Sequence, residues 1–166
     1  MRRILFLITT ILFVLLIVLL ITKIPQRMVA NYWYTQGLQE FRQGKTNEAE
    51  KFFLRALFWN PKHLRSAEYL VLTSVPKSTI SKNNQQEILK ILERFEYARQ
   101  LGSSWEPIYT IAASLKLING NYSEARKLIE EAITRNERNK SILEKFLVNI
   151  EKMEDYKNSI DQKQQR

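Results

Sequence analysis

The sequence contains no cysteine, and His63 is the only histidine among its 166 residues. The missing thiols exclude disulfides, cysteine nucleophiles and cysteine-ligated zinc, and a single histidine excludes a metal site built on paired histidines. Glycine and proline are also scarce, with four of each. Because an all-β fold needs many tight turns, this scarcity favours an all-α fold.

The remaining polar residues do not form a pattern that indicates catalysis. His63 stands at a predicted turn with no second histidine or carboxylate in a metal-ligand spacing. Carboxylates such as Glu130, Glu131, Glu151 and Glu154 lie on stretches that also carry Lys and Arg at a distance of three or four residues, which is typical of a solvated helix face. We therefore predict that the protein is not an enzyme and binds no metal, cofactor or small-molecule substrate.

The formal net charge of +9 is unevenly distributed. Residues 1–104 hold 15 Lys or Arg against 7 Asp or Glu, whereas residues 105–166 hold 11 against 10. No run of Lys and Arg with interleaved aromatic residues marks a nucleic-acid surface. The charge therefore predicts no nucleic-acid partner and is concentrated in the part of the chain that contains the longest hydrophobic run.

That hydrophobic run extends from Ile4 to Thr22, where only three threonines interrupt Leu, Ile, Phe and Val. A helix of this length spans roughly 28 Å, close to the roughly 30 Å of a bilayer's hydrocarbon core. A cleaved signal peptide is the alternative, but its apolar region is usually about 7 to 15 residues long and ends at a small-x-small cleavage site. Because Lys23 and Pro25 follow the run instead, we predict an uncleaved single-pass anchor in the lipid bilayer.

Four basic residues flank the predicted anchor. Arg2 and Arg3 precede it, and Lys23 and Arg27 follow it. Cations near anionic lipid headgroups each contribute about 1 kcal/mol to membrane attachment. Since the two arginines lie within the first three residues, we favour an N-terminus in the cytoplasm and the rest of the chain on the far side, with the reverse orientation left open.

Large and small residues recur with one spacing in two parts of the chain. The first set is Trp33, Gly37, Gly44, Ala49, Phe53, Ala56 and Pro61. The second set is Tyr109, Ala113, Gly120, Tyr122, Ala125, Ile129 and Ala132. This spacing resembles the 34-residue tetratricopeptide repeat, a helical hairpin in which small residues allow the two helices to cross closely and large residues fill the space beside the crossing.

The distance between the two copies predicts a third repeat between them. Ala49 and Ala125 are 76 residues apart, which is two periods of 34 residues and eight more. Counting inward from either copy assigns the middle core positions, which are Ala67, Leu70, Val71, Ile91, Phe95 and Ala98. The eight extra residues then fall in the polar stretch 75–86, which we predict to be an inserted loop.

The predicted fold class is all-α, with an N-terminal transmembrane helix, an α-solenoid of about three helical hairpins and a C-terminal capping helix. The cap is indicated by Leu143, Phe146, Leu147 and Ile150 at helical spacing. The predicted segments are a basic N-tail 1–3, a membrane helix 4–22, a juxtamembrane linker 23–30, repeats at about 30–63, 64–105 and 106–139, a cap 140–160 and a disordered tail 161–166.

The resemblance also implies a concave groove lined by the first helix of each repeat. Its expected residues are Asn31, Tyr34, Leu38, Phe41, Arg65, Glu68, Leu72, Val75, Thr110, Ser114 and Leu117. Relatives that hold the C-terminal carboxylate of heat-shock chaperones have Lys and Asn where this chain has Tyr34 and Leu38, so capture of such a tail is disfavoured. We expect an amphipathic helix or extended apolar segment of a protein partner instead.

Two functions follow from this architecture. In the first, the chain is an adaptor or scaffold that holds a partner beside the bilayer and assists assembly of a membrane-associated complex. In the second, it is a permanent structural subunit of a larger envelope or organellar machine. The two differ in whether the isolated repeat domain is a stable monomer with an exposed groove.

Overall fold

A computed structural model describes residues 2–75 and 84–164, without the side chains of 2–9, 15, 16, 18–25 and 164. The described chain contains seven α-helices, one short 3-10 helix at Glu137–Asn139 and no strand, which confirms the all-α prediction. The helices are α1 (Arg2–Arg42), α2 (Thr46–Trp59), α3 (Leu64–Ser74), α4 (Gln85–Gln100), α5 (Glu106–Ile118), α6 (Tyr122–Arg135) and α7 (Lys140–Gln164). Most of the predicted inserted loop, at 76–83, lies outside the described residues.

The chain divides into two compact units, Met1–Ser66 and Ala67–Arg166. In the first unit, α1 and α2 form a hairpin in which Gly37 of α1 lies against Phe53 of α2. A Cβ atom at Gly37 would lie 2.7 Å from Cε1 of Phe53, so the Phe53 ring occupies the space that any larger residue would need. Ala49, Phe53 and Ala56 on α2 are fully buried, as the repeat spacing predicts.

The second unit contains α4 to α7 and most of α3. Its buried residues include the predicted repeat positions Val71, Ile91, Phe95, Ala98, Tyr109, Ala113, Ala125, Ile129 and Ala132. The rings of Phe95 and Tyr109 meet edge to face at 5.0 Å between centroids and so join α4 to α5. The cap helix α7 packs on α6 through Leu143 and Ile150, both fully buried.

The turns inside the two clearest hairpins have the same construction. Gly44 and Gly120 have φ values of 76° and 77°, the left-handed region in which glycine avoids a Cβ clash. The residue after each glycine donates its backbone N–H to a carbonyl five residues earlier, at Glu40 and Lys116. This is the Schellman arrangement that ends a helix, and it explains why glycine recurs at this position of both repeats.

Two predicted boundaries differ from the structure. Residues 23–30, predicted to be a linker, continue α1 through Pro25. Ala30 is already fully buried, so the first helix of the hairpin must begin before residue 30, and Pro25 does not end it. The predicted tail 161–166 also differs, because its residues 161–164 belong to α7, which extends to Gln164.

The predicted membrane helix at 4–22 falls largely on positions whose side chains lie outside the described residues. Where side chains are described, no helix is both long enough and apolar enough to cross a bilayer. In the described part of the run, the side chains of Ile11, Leu12, Phe13 and Val14 are each more than half exposed.

Candidate functional site

The second unit contains an apolar cleft between α5 and α7, hereafter the α5–α7 cleft, with a volume of about 400 Å³. It is lined by Ser114, Leu117 and Ile118 from α5 and by Phe146, Asn149, Ile150 and Met153 from α7. Two of the predicted groove residues, Ser114 and Leu117, therefore line a real depression. The α7 wall, by contrast, was not part of the predicted groove.

Hydroxyl groups on the predicted face of α5 are already used within the helix. Thr110 Oγ1 donates to the carbonyl of Pro107 at 2.9 Å, and Ser114 Oγ donates to the carbonyl of Thr110 at 2.8 Å. A hydroxyl has a single hydrogen to donate, so neither residue offers a free donor to a ligand. In the α5 wall, Ser114 is therefore a small side chain whose hydroxyl is already bonded, and the other two members, Leu117 and Ile118, are apolar.

The α7 wall belongs to a longer row of side chains, hereafter the α7 stripe. Its members recur at alternating spacings of four and three residues and are Ile142, Phe146, Asn149, Met153, Tyr156 and Ile160. Ile142, Met153 and Tyr156 are 58%, 48% and 70% exposed. Since such spacing places all six side chains on one face of a helix, α7 presents a largely apolar row that is half-buried at Phe146 and Ile160 and exposed at its other positions.

Two contacts with α6 fix the orientation of this surface. Arg126 Nη2 donates to Glu154 Oε2 at 2.8 Å, and Lys157 Nζ lies 5.4 Å from the centre of the Tyr122 ring. Together with buried Leu143 and Ile150, these contacts hold the side of α7 next to the stripe against α6 over about four turns. The contacts with α6 therefore fix the direction in which the α7 stripe faces.

The predicted groove residues of the first unit lie on the surface of α1 or close to it. Asn31 is exposed, whereas Tyr34, Leu38 and Phe41 are half-buried. The Tyr34 ring packs 6.0 Å from the Phe53 ring and 5.3 Å from the His63 ring. Leu38 lines a depression formed by α1 residues and by Gln43, which follows the helix.

His63, predicted to be a turn residue, caps the start of α3. Its Nδ1 accepts the backbone N–H of Ser66 at 3.2 Å and contacts Ser66 Oγ at 2.8 Å. Because Nδ1 accepts, the neutral ring carries its hydrogen on Nε2, which donates to Asn31 Oδ1 at 2.9 Å. The imidazole thus acts as an N-cap acceptor and joins α1 to the turn before α3.

Acid is expected to destabilise the first unit through this cap. Burial lowers the pKa of His63 from its ordinary value of 6.5, so the folded state takes up the proton less readily than the unfolded state. The stabilisation is complete above about pH 6.5 and is lost as the pH falls towards the folded-state pKa. Hydrogen exchange of α1 and α2 at about pH 7 and about pH 5, corrected for intrinsic rates, measures this loss.

The matched variant is His63→Asn, which keeps a capping acceptor but does not titrate. It should remove the part of the acid sensitivity that lies between these two pH values. If His63→Asn and the unchanged protein lose protection equally on acidification, the histidine cap does not control the stability of this unit.

The predicted groove residues around α3 are placed less uniformly. Arg65 is exposed, and Leu72 and Val75 are half-buried. Glu68, expected on the groove surface, is only 2% exposed and accepts a hydrogen bond from Ser103 Oγ at 2.6 Å. Its burial gives Glu68 an internal role in the second unit in place of a surface one.

Ser103 also connects Glu68 to a larger polar network. The Ser103 carbonyl accepts Tyr109 Oη at 3.1 Å and Arg135 Nη1 at 3.0 Å. Glu131 accepts Arg99 Nε at 2.9 Å, and its Oε1 lies 3.3 Å from Tyr109 Oη, where it shares the one hydroxyl hydrogen with the Ser103 carbonyl. The network therefore ties α3, α4, α5 and α6 together without presenting a reactive group to the α5–α7 cleft.

The pKa values in this network follow from its geometry. Burial, together with the negative charge of Glu131, raises the pKa of Tyr109 to about 12. Hydrogen bonds to Glu131 and Glu96 raise the pKa of Arg99. Burial would raise the pKa of Glu131, but the hydrogen bond from Arg99 and the charges of Arg99 and Arg135 outweigh it and lower the pKa. All of these groups keep their ordinary charge at neutral pH, which suits a structural network.

A second cavity of about 490 Å³ lies between α4 and α6. Its apolar lining includes Leu89, Leu92 and Leu128, but most of the charged residues around it already form ion pairs with one another. Arg99 bonds Glu131 and Glu96, and Lys116 pairs with Glu124 at 2.5 Å. Because those ion pairs would have to break to admit a charged ligand, the α5–α7 cleft is the better candidate site.

Across the described part of the chain, no group of three or more His, Asp or Glu side chains is placed to hold a metal ion. The candidate-site residues that the sequence did not indicate are those of the α7 stripe, apart from Phe146, which was assigned to the cap. Their alternating spacing of four and three residues was the available signal. It was hidden because the neighbouring Leu143 and Ile150 already accounted for a helix that covers α6.

Residues 106–139 match the sequence model of a family described as tetratricopeptide repeat, over the bounds predicted for the third repeat. No curated protein matches the chain.

Several solved structures share its fold. The first TPR domain of human RPAP3 has a TM-score of 0.62 and 16% identity, over 80% of this chain and 98% of that domain. The first TPR of Spaghetti bound to an HSP90 peptide has a TM-score of 0.61 and 16% identity, over 76% and 93%. The Yersinia enterocolitica chaperone SycD, in complex with a peptide of the translocator YopD, has a TM-score of 0.54 and 15% identity, over 76% and 89%. The described chain therefore has an all-helical, tetratricopeptide-like fold.

Proposed function

We propose that this tetratricopeptide protein is a membrane-anchored adaptor that holds an apolar segment of a partner protein in the α5–α7 cleft. The observation that carries the proposal is the α7 stripe, which leaves Met153 and Tyr156 exposed beside the cleft. Exposed apolar rows of this kind are typical of binding grooves for amphipathic helices. The partner would be a component of a membrane-associated complex whose assembly the adaptor assists.

The structural neighbours support peptide binding as the mode of action. The Spaghetti domain is bound to an HSP90 peptide, and SycD is bound to a peptide of YopD. A chaperone tail is not the ligand that we propose here, because Tyr34 and Leu38 stand where the sequence resemblance would require Lys and Asn. The predicted residues Tyr34, Leu38 and Phe41 provide a second contact surface, on the first unit.

The membrane part of the proposal rests on the sequence of 4–22 and on its described residues. Ile11, Leu12, Phe13 and Val14 are consecutive, so together they cover every side of the helix. A helix that is apolar all round needs an apolar surrounding on every side, which a bilayer provides. Arg2, Arg3, Lys23 and Arg27 would lie at the two headgroup regions, with the N-terminus in the cytoplasm.

Photo-crosslinking from the cleft tests this function. A crosslinking amino acid at Leu117 or Met153 of the full chain, in its native membrane, is expected to trap one discrete partner that mass spectrometry identifies. The matched control is Leu89, an exposed leucine of the second unit outside the cleft. In addition, Ser114→Glu should reduce the Met153 crosslink by about tenfold, because it places an unpaired charge on the apolar wall.

Equal crosslinking from Leu89 and Met153, or crosslinking unchanged by Ser114→Glu, would exclude the α5–α7 cleft as the binding site. A permanent structural subunit is the alternative function. It predicts that the Met153 crosslink remains stoichiometric at all times, whereas an assembly factor is expected to be crosslinked only while its partner is being assembled.

A further inference from the structure

We infer that the occupant of the α5–α7 cleft is an amphipathic helix of the partner protein whose apolar stripe is bordered by carboxylates. This inference rests on the proposed function and specifies the chemistry of the partner. It is carried by the distribution of charge around α7: lysines follow one border of the α7 stripe, whereas the other border rests on α6.

One border of the α7 stripe is basic. At about 100° per residue, Lys145, Lys152 and Lys163 all lie next to the stripe on the side away from α6, and we name them the lysine edge. The acidic residues of α7 lie elsewhere on the helix. Glu144, Glu151 and Asp155 lie on the side of α7 opposite the stripe, and Glu154 is engaged by Arg126 of α6.

The lysine edge forms no ion pair in the described part of the chain. Lys145 and Lys152 are exposed and form no ion pair there, whereas Lys140 pairs with Glu144 and Lys157 lies over the Tyr122 ring. Two ammonium groups seven residues apart, parallel to an exposed apolar row, match carboxylates at the same spacing on a second helix. Charge complementarity therefore favours an acidic border on the incoming helix.

The dimensions of the α7 stripe also fit a helix. From Ile142 to Ile160 it extends about 27 Å at ~1.5 Å per residue, which corresponds to about five turns. The cleft lies beside the middle of this row and is lined by Phe146, Asn149 and Met153. A helix that places apolar side chains every three or four residues along this row can insert its central ones into the cleft.

A second copy of this chain is a poor occupant. In an antiparallel pair of α7 stripes, Lys145 and Lys152 of one copy would face the lysine edge of the other, and like charges repel. A parallel pair would use the side of α7 where Leu143 and Ile150 are already buried on α6. Segments of this chain outside the described residues also lack the pattern, because 76–83 contains two lysines and no carboxylate.

A bilayer surface fits less well than a protein helix. The sequence of α7 contains five lysines and five carboxylates, so the helix has no net charge to attract anionic lipid. The cleft is also concave, so a flat surface would not fill it, whereas the side chains of a helix can enter it.

The test uses the full chain in phosphatidylcholine nanodiscs and synthetic helical peptides of about 18 residues. The first peptide has leucines at the stripe positions and glutamates along the border, and the second has lysines in place of the glutamates. A third peptide has the composition of the first in scrambled order. By fluorescence anisotropy, the glutamate-bordered peptide is expected to bind at least about tenfold more tightly than the other two, with affinity falling as salt rises.

Charge reversal then separates recognition from misfolding. The double variant Lys145→Glu and Lys152→Glu should weaken the glutamate-bordered peptide and strengthen the lysine-bordered one, a reversal that an unfolded protein cannot produce. The matched control is Lys62→Glu with Lys127→Glu, which changes the net charge equally but lies away from the α7 stripe. It should leave the preference unchanged.

Each other result overturns the inference. Equal binding of both stripe-bearing peptides, lost in Ser114→Glu, would mean that the cleft binds apolar helices without regard to charge, so the proposed function would stand and the acidic border would fail. No binding of any peptide, together with a partner crosslinked from Met153, would exclude a helix as the occupant. Absence of both results would remove the proposed function as well.

Two more outcomes would identify a different occupant. Protection of α7 from hydrogen exchange in phosphatidylglycerol nanodiscs without peptide would show that α7 lies on anionic lipid. A preference that follows Lys127 and not Lys145 would move the binding site to the cavity between α4 and α6.

Discussion

Phe53→Ala is expected to lower the free energy of unfolding of the α1–α2 hairpin by about 3–5 kcal/mol. The Phe53 ring is fully buried and fills the space above Gly37, which has no side chain that can move into a cavity. Because the cost of such a cavity rises when its surroundings cannot collapse, the value should lie in the upper part of that range. Native-state hydrogen exchange of the full chain should show amide exchange in α2 faster by more than about 100-fold.

Phe58→Ala is the matched control for this experiment. Phe58 lies five residues further along the same helix but is 80% exposed, so its removal should change stability by less than about 0.5 kcal/mol. Similar acceleration of exchange by Phe58→Ala and Phe53→Ala would show that the hairpin is not held together at the Gly37 crossing.

Tyr109→Ala is expected to destabilise the second unit by a similar amount, about 3–5 kcal/mol. The Tyr109 side chain is fully buried and packs edge to face on Phe95. Its hydroxyl also donates to the Ser103 carbonyl, which occupies one corner of the network around Glu131. Alanine would therefore remove both the packing between α4 and α5 and one of the hydrogen bonds that join α5 to the network.

Tyr109→Phe separates these two contributions. It keeps the ring, and the Ser103 carbonyl still accepts Arg135, so the expected cost is only about 1 kcal/mol. Hydrogen exchange in α4 and α5 measures both variants. A loss with Tyr109→Phe as large as with Tyr109→Ala would show that the polar network, and not the aromatic packing, stabilises this unit.

The sequence predicts the hairpins well because their geometry depends on local spacing. Small residues at Gly37 and Ala113 are needed where the helices cross, and Gly44 and Gly120 are needed where the first helix of each hairpin ends. Each requirement places a small residue or a glycine at a fixed position of the repeat, and the sequence alone shows that spacing. The bounds of the third repeat, 106–139, were therefore predictable without any relative.

The candidate site was less predictable because it depends on contacts that are distant in the sequence. Glu68 can be buried because Ser103, 35 residues away, donates a hydrogen bond to it, and no local sequence pattern predicts that contact. The α7 wall of the cleft depends on which side of α7 rests on α6. Leu143 and Ile150 indicated a cap in the sequence, but the exposed row beside them becomes evident only once α7 is packed.

The continuity of α1 has a geometric consequence. The described backbone runs as one helix from the apolar segment that contains Ile11 to the crossing at Gly37, about 39 Å at ~1.5 Å per residue. Each residue also turns the helix by about 100°. The number of residues between these two points therefore sets the side of the α1 axis on which α2 packs, relative to the apolar segment. An insertion or deletion of one residue there would turn the hairpin by more than a quarter revolution relative to the apolar segment. The number of residues along α1 thus fixes the rotation of the hairpin relative to the apolar segment, which a flexible tether of the same length would not do.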